Sequence, residues 1–371
     1  MIRIACGVAL SQAAVASLPV GPWLAGPIRS WTDPFVQWDA TLFTSIAQHG
    51  YRTVTIRAFF PVDPLAIRTL SPIFGYPGAA IAVSWIACFF AVWSVMDVAE
   101  RFSSRRMAWV AGTLLVWNPV SVFLLAGYAD ALLVAVMIWS LRFCLDGRWW
   151  PAALLAGVAS GVLPQGIASA VVVALAVVLA SPTARGVVRG ACFGLVGLAG
   201  IVGYLVFSWV DTGNPLIVRT AQAEGWHARL TFPFHMVFAD LTRVVSWHHV
   251  VRSVDVSRQM QVVYLLDVVV GLLGAAVAVV GFWLCRRDRR LVLPAVLFSA
   301  GLMISVVTVN FAQDSTDRFI LCLAPLYVIA AAGLERLPAA TRSPVVLQVL
   351  AVSAAAAAFF GVLFNLGYWM T

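Results

Sequence analysis

The sequence predicts an all-α polytopic membrane protein, and three observations predict it: the composition, the length of the apolar segments and the placement of the arginines. Of the 371 residues, 62% are hydrophobic and only 11% are charged, and the mean hydropathy is +0.93. Soluble domains carry about 25% charged residues, and disordered chains combine low hydrophobicity with high charge. The composition therefore excludes both classes. The formal charge of +8 first raises the question of membrane sidedness and gives no indication of nucleic acid binding.

Ten apolar segments approach or exceed the roughly 20 residues that a membrane-crossing helix needs. They lie at 4–25, 78–98, 107–127, 128–145, 151–180, 190–210, 261–285, 291–310, 318–334 and 344–368. The first resembles a signal peptide, but its apolar run continues to Leu24, which favours an uncleaved helix. Segment 151–180 is too long for one ordinary span, and Leu163-Pro164-Gln165-Gly166 at its middle predicts a short helical hairpin. The sequence thus predicts about 11 membrane helices in one domain covering 1–371.

The short loops between these segments carry many arginines, which predicts that they face the cytoplasm. They are 101–106, 146–148, 185–189, 286–290 and 336–342. With a cytoplasmic N-terminus, the two long polar loops, about 30–77 and 211–260, then lie together on the extracytoplasmic face. We expect a multi-pass protein of the plasma (cell inner) membrane whose chemistry occurs on that outer face.

The first long loop contains the densest set of polar and aromatic residues. Leu42, Phe43, Ile46 and Ala47 recur at helical spacing, which predicts an amphipathic helix lying in the membrane interface. Asp39 immediately precedes this helix. Two roles are compatible with that position: an N-cap that accepts from free N–H groups, and a general base at the membrane surface.

Other candidate residues also allow two interpretations. Asp130 lies near the outer end of a helix, where it is either functional or simply hydrated at the interface. Arg318 could clamp a phosphate with its two-pronged guanidinium, or pair with the nearby Asp314 or Asp317. His248-His249 indicates a surface pair more than a metal site, since adjacent residues do not share a helix face. Asp33-Pro34 and Asp63-Pro64 indicate turns, with metal or phosphate chemistry a minority alternative at Asp63-Pro64.

Several motifs of the first loop and the third and fourth helices resemble one family. They are Trp38-Asp39-Ala40, Phe43, Ile46-Ala47, His49-Gly50-Tyr51, Ala58-Phe59-Phe60-Pro61, Asn118-Pro119 and Ala126 to Leu132. In these residues the chain is similar to the glycosylphosphatidylinositol mannosyltransferase II (PIG-V-like) family and its bacterial branch of polyprenyl-phosphomannose-dependent enzymes. The resemblance implies a GT-C fold and inverting transfer of mannose from polyprenyl-phosphate-mannose to a lipid-linked or glycolipid acceptor. It makes Asp39 the catalytic base and implies no cofactor, with a divalent metal left open.

The resemblance and the polar residues together suggest a substrate-binding set of Trp38, His49, Tyr51, Arg57, Asn118, Tyr128, Asp130, Gln165, Arg229 and Arg318. The chain departs from the family at two places. Leu163-Pro164-Gln165-Gly166 stands where Arg-Ser-Asn-Gly is common, and Val62-Asp63-Pro64 stands where a Gly-aromatic-Pro step is usual. The missing arginine leaves open a non-catalytic partner subunit. A lipid or glycan transporter is the other alternative, although the polar residues gather on one face.

Overall fold

The structure is a computed structural model that describes residues 30–226, 288–308 and 316–365, with isolated positions between 269 and 283. Every regular element among these residues is helical, which confirms the all-α class. The α-helices are α1 (Asp39–His49), α2 (Val62–Glu100), α3 (Arg105–Val116), α4 (Asp130–Leu145), α5 (Trp149–Ser160), α6 (Ile167–Ala180), α7 (Ala184–Gly197), α8 (Ala199–Thr212), α9 (Ile217–Trp226), α10 (Val292–Thr308), α11 (Thr316–Leu321), α12 (Pro325–Glu335) and α13 (Ala339–Asn365). Short 3-10 turns occupy Thr55–Ala58, Ser121–Leu124, Pro164–Gly166 and Arg289–Leu291.

Long apolar helices identify a membrane protein. Within the described ranges, α2 and α13 are each long and apolar enough to cross a bilayer, and α7 with α8 passes the same test as one span bent by 52°. Helices α5 and α12 are apolar but shorter, as is the stretch from Pro164 to Ala180. The number of about 11 membrane helices, and the sidedness of the loops, stay predictions.

Helix α2 begins earlier than the sequence indicated. The predicted span was 78–98 and the predicted loop was 30–77, yet residues 62–77 are helical. That part of the loop prediction was wrong, because Asp63-Pro64 does not form an isolated turn but lies in the first turn of α2, where proline is tolerated. The helix kinks at Gly75, whose φ of 68° lies outside the helical range. Pro72 and Pro77 lie on either side of the kink. Each proline lacks the N–H that would donate a helical hydrogen bond, which favours a bend at this point.

The predicted hairpin break falls at the residues that the sequence indicated. Helices α5 and α6 are separated by the 3-10 turn Pro164–Gly166. A Cβ on Gly166 would overlap the carbonyl of Ala159, so only glycine allows the chain to fold back this tightly. The N–H of Val62 donates to the carbonyl of Gly161 at 3.1 Å. This bond ties the hairpin to the beginning of α2.

The predicted span 107–127 is helical only as far as Val116. The Asn118 amide donates to the carbonyl of Leu115 at 2.6 Å and its oxygen accepts from the N–H of Val120 at 3.0 Å. These bonds replace helical ones and turn the chain toward α4, as expected for asparagine before a proline. The predicted spans 190–210 and 318–334 are likewise each broken into two helices.

Candidate functional site

Helix α1 is the amphipathic helix that the first loop predicts. Its buried residues are Ala40, Phe43, Ile46 and Ala47, while Leu42 is half-buried. Phe43 packs edge-on against Phe59 with ring centroids 4.9 Å apart. The buried face fixes α1 against the rest of the chain and thereby fixes Asp39 at its first turn.

Asp39 does not act as an N-cap, so that interpretation is wrong. Because the helix begins at Asp39, the cap position belongs to Trp38, which makes no side-chain cap hydrogen bond. Trp38 has φ 52° and ψ −121°, a strained conformation for a residue with a side chain. The Asp39 carboxylate instead faces Arg318, with Oδ2 3.6 Å from Nη1. Its side chain keeps 16% of its surface exposed.

Arg318 of α11 is held by Asp130 of α4 in a buried ion pair. Nε of Arg318 donates to both carboxylate oxygens of Asp130 at 3.1 and 3.2 Å, and Nη2 donates to Oδ2 at 2.7 Å. Asp130 is 1% exposed, so it is not the hydrated interfacial residue that the sequence allowed. The guanidinium carbon lies 4.8 Å from the ring of Phe123 and 4.7 Å from the ring of Tyr128. The structure therefore places Tyr128, Asp130 and Arg318 around Asp39.

A glycine lets these elements approach each other. The N–H of Gly127, just before α4, donates to the carbonyl of Phe35 in the first loop at 2.8 Å. A Cβ on Gly127 would lie 2.9 Å from the Cβ of Ala80 and 3.5 Å from that of Ala40. Since real Cβ contacts are not this short, a larger residue would push the turn that carries Asp130 away from α1.

A second polar cluster forms beyond the other end of α1. The guanidinium of Arg57 pairs with Asp211 of α8 and donates to the carbonyl of Tyr51 at 3.2 Å. It also lies 5.6 Å from the Tyr51 ring centroid, and the Tyr204 hydroxyl donates to the Arg57 carbonyl. Helix α1 has 11 residues and is therefore about 16 Å long. Tyr51 and Arg57 thus belong to a separate cluster from the one around Asp39.

The remaining predicted residues are dispersed. His49 is exposed at the end of α1, and Asn118 uses its amide in the local turn described above. Gln165 is 2% exposed, and its Oε1 has no hydrogen-bond partner within the described ranges. Arg229 and His248-His249 lie outside the described residues.

Asp63 is a buried acid that the sequence interpretation missed. It is 1% exposed, and neither carboxylate oxygen has a hydrogen-bond partner among the residues described. Asp130 acts on it electrostatically. The sequence offered one signal, namely that Asp63 stands at the aromatic position of the family's usual Gly-aromatic-Pro step. The Asp-Pro pair was instead interpreted as a turn.

The surroundings of Asp39 favour its neutral form. Burial is the largest cause and raises the pKa of the Asp39 carboxyl; Arg318 opposes this and Asp130 adds to it. A carboxylate with a raised pKa is a better proton acceptor than an ordinary surface aspartate. In the part of the chain that the structure describes, no group of three His, Cys, Asp or Glu side chains is arranged to hold a metal ion.

The fold resembles that of ArnT, a solved structure of the GT-C class. The crystal structure of ArnT from Cupriavidus metallidurans bound to undecaprenyl phosphate superposes with a TM-score of 0.56 at 17% identity, covering 98% of this chain and 76% of ArnT. The apo state of ArnT gives a TM-score of 0.55 at 16% identity, covering 100% and 77%. The likeness supports the GT-C fold.

The chain also resembles the mannosyltransferase (PIG-V) family, whose model matches residues 28–181. GPI alpha-1,6-mannosyltransferase 2 of Rattus norvegicus is 31% identical over 145 residues, which are 36% of this chain and 30% of the rat protein. The Homo sapiens protein of the same name is 31% identical over 144 residues, covering 36% and 29%. The chain thus spans about a third of the length of these curated relatives. The family resemblance predicted from the sequence is confirmed.

Proposed function

We propose that the chain is an integral membrane mannosyltransferase. It transfers mannose, with inversion, from polyprenyl-phosphate-mannose to a lipid-linked or glycolipid acceptor on the extracytoplasmic face. The observation that carries this proposal is Asp39, a partly exposed carboxylate at the first turn of an amphipathic helix, beside a buried arginine. The family match covers the same residues, and the ArnT structure with its bound undecaprenyl phosphate supports a lipid-phosphate donor.

The chemistry needs one base and a stabilised leaving group. Asp39 takes the proton of an acceptor hydroxyl as the hydroxyl oxygen bonds to the anomeric carbon of mannose. The bond between that carbon and the phosphate oxygen breaks, and polyprenyl phosphate leaves with the electron pair. Because this is a single displacement, the configuration inverts.

The developing charge on the phosphate favours a positive environment. The N-terminal end of α1 lies beside Asp39 and carries the positive end of the helix dipole. Tyr51 and Arg57 lie beyond the opposite end of the same helix, so we do not assign them to the reacting phosphate. In this proposal Trp38, Tyr128 and Gln165 remain the candidates for contact with substrate.

The test is Asp39→Asn, which keeps the shape of the side chain and removes its basicity. Purified protein in lipid nanodiscs is incubated with labelled polyprenyl-phosphate-mannose and a membrane lipid extract, and the labelled product is identified. We expect Asp39→Asn to fold and to lose transfer by roughly 10²–10⁴-fold, the usual contribution of a general base. Asp33→Asn is the matched control, because Asp33 lies in the same loop, accepts from the N–H of Ser30 and takes no part in the cluster of Asp130, Tyr128 and Arg318 around Asp39.

Each rival function has its own expected outcome, and the transporter is tested in a separate vesicle assay. Activity retained by Asp39→Asn would contradict the base assignment. A wild-type chain that binds no donor and forms no product would indicate a partner subunit. Movement of the labelled lipid across vesicles that lack any acceptor would indicate a transporter.

A further inference from the structure

The cluster around Asp39 contains two carboxylates and one guanidinium, and the two carboxylates are held unequally. Nε and Nη2 of Arg318 both donate to Asp130, at 2.7 to 3.2 Å. Nη1 faces Asp39, and its 3.6 Å distance from Oδ2 is longer than an ordinary hydrogen bond. Asp130 therefore forms the two-pronged ion pair with Arg318. Asp39 is attracted electrostatically by the same guanidinium and keeps its oxygens available.

The neighbouring rings prevent Arg318 from redistributing these contacts. Phe123 and Tyr128 both lie within 4.8 Å of the guanidinium carbon. Arg318 is 5% exposed, so water offers it little alternative to partners within the protein. Since a guanidinium donates in a fixed planar geometry, occupying its Nε–Nη2 edge fixes the direction in which Nη1 points.

We infer that Asp130 is a positioning residue that acts on the proposed base through Arg318. By occupying the two-pronged edge of Arg318, Asp130 orients that side chain toward Asp39 and prevents it from forming a full ion pair with the base. Substrate need not touch Asp130. This assignment rests on the proposed role of Asp39 and replaces the earlier placement of Asp130 and Arg318 among substrate-binding residues.

The inference predicts opposite effects for the two partners. The groups that face Asp39 from the described elements are Arg318 of α11, Asp130 of α4 and Tyr128 before α4, while Asp63 of α2 acts on Asp130. Without Asp130, Arg318 can pair fully with Asp39, which favours the ionised base and occupies its lone pairs. Without Arg318, the repulsion between Asp39 and Asp130 is uncompensated, which favours the protonated base.

The experiment compares pH profiles of mannose transfer by the full chain in nanodiscs. We expect Asp130→Asn to shift the acid limb to lower pH by about one unit, and Arg318→Gln to shift it to higher pH by about one unit. Both should lower the plateau rate, by about 10²-fold if the base is displaced by 1 Å. Asp146→Asn is the matched control, because Asp146 follows α4 at its other end and pairs with Arg101 at 2.7 Å. We expect its acid limb to stay where it is in the wild type.

Shifts in the same direction, or no shift in either variant, would overturn the inference. If Asp130→Asn does not fold, Arg318→Lys replaces it. This variant keeps the charge, so its acid limb should stay near that of the wild type, while the acid limb of Arg318→Gln moves to higher pH. Acid limbs at the same pH in the two Arg318 variants would refute the inference. A wild-type chain that transfers no mannose refutes the proposed function separately. Infrared difference titration, with the Asp39 band assigned by its loss in Asp39→Asn, then measures the same opposite shifts without turnover.

Discussion

Two aspartates with the same burial should respond oppositely to the same substitution. Asp63 and Asp130 are each 1% exposed, but of the two only Asp130 has a counter-ion among the described residues, since Arg318 donates three hydrogen bonds to it. Both oxygens of Asp63 lack a hydrogen-bond partner within the described ranges. Aspartate to asparagine changes the volume very little, so the pair of variants isolates the effect of the partner. We expect Asp63→Asn to stabilise the fold and Asp130→Asn to destabilise it.

The magnitudes follow from the contacts of each side chain. Removing one partner of a buried ion pair costs about 3–5 kcal/mol, because the other charge is left uncompensated. A buried polar group without a partner costs about 1–3 kcal/mol, and asparagine at position 63 recovers only part of this because its amide is also unpaired. Asp63 lies in the first turn of α2, where loss of the carboxylate forfeits about 0.3–1 kcal/mol of helix-dipole stabilisation. The net gain for Asp63→Asn is about 1 kcal/mol.

The assay is equilibrium unfolding of the full chain in mixed micelles with increasing denaturing detergent, followed by tryptophan fluorescence. Asp33→Asn serves as the half-buried control and should stay within about 0.5 kcal/mol of the wild type. The reasoning is refuted if Asp63→Asn unfolds at lower detergent than the wild type, or if both buried variants shift in the same direction. A stabilised Asp63→Asn that also loses transfer would show that substrate uses the unpaired carboxylate.

Three further predictions concern the geometry and pH dependence of the site. Gly127→Ala should lower transfer about tenfold and cost about 1–3 kcal/mol of stability, because its Cβ would press on Ala80 at 2.9 Å; unchanged transfer kinetics would contradict this. Gly166→Ala should reduce the yield of monodisperse protein in size-exclusion chromatography, since its Cβ overlaps the Ala159 carbonyl; a normal yield would show that the turn adapts. Wild-type transfer should fall as the pH decreases through the raised pKa of Asp39. The midpoint of this fall should therefore lie above the ordinary aspartate pKa of about 3.9. A rate that stays constant down to pH 4 would exclude this.

Local signals in the sequence were sufficient for the helical class and for several boundaries. Pro164 and Gly166 mark the hairpin break because a missing N–H and a missing Cβ act within a few residues. The spacing of Phe43, Ile46 and Ala47 reports the buried face of α1 in the same way. The start of α2 at Val62 was missed because polar residues in the first turns of a helix have the composition of a loop.

The arrangement around Asp39 could not be predicted from the sequence. Arg318 and Asp130 are 188 residues apart, and helix packing alone brings them together. From the sequence, the nearest acids, Asp314 and Asp317, were the natural partners to consider. The sequence does identify Asp39, Tyr128, Asp130 and Arg318 as individual candidates. Their contacts with one another in the structure determine which role each can take.

Those contacts also restrict how the donor phosphate can bind. If Arg318 released Asp130 to clamp the phosphate, Asp130 would remain buried at 1% exposure without its counter-ion, at a cost of about 3–5 kcal/mol. Phosphate binding would have to offset that free-energy cost before it gave any net affinity. On the proposed function, we therefore expect Arg318 to stay with Asp130 during transfer and other donors to contact the phosphate. The N-terminal end of α1 lies beside Asp39 and its positive dipole end is the candidate that we propose for this contact.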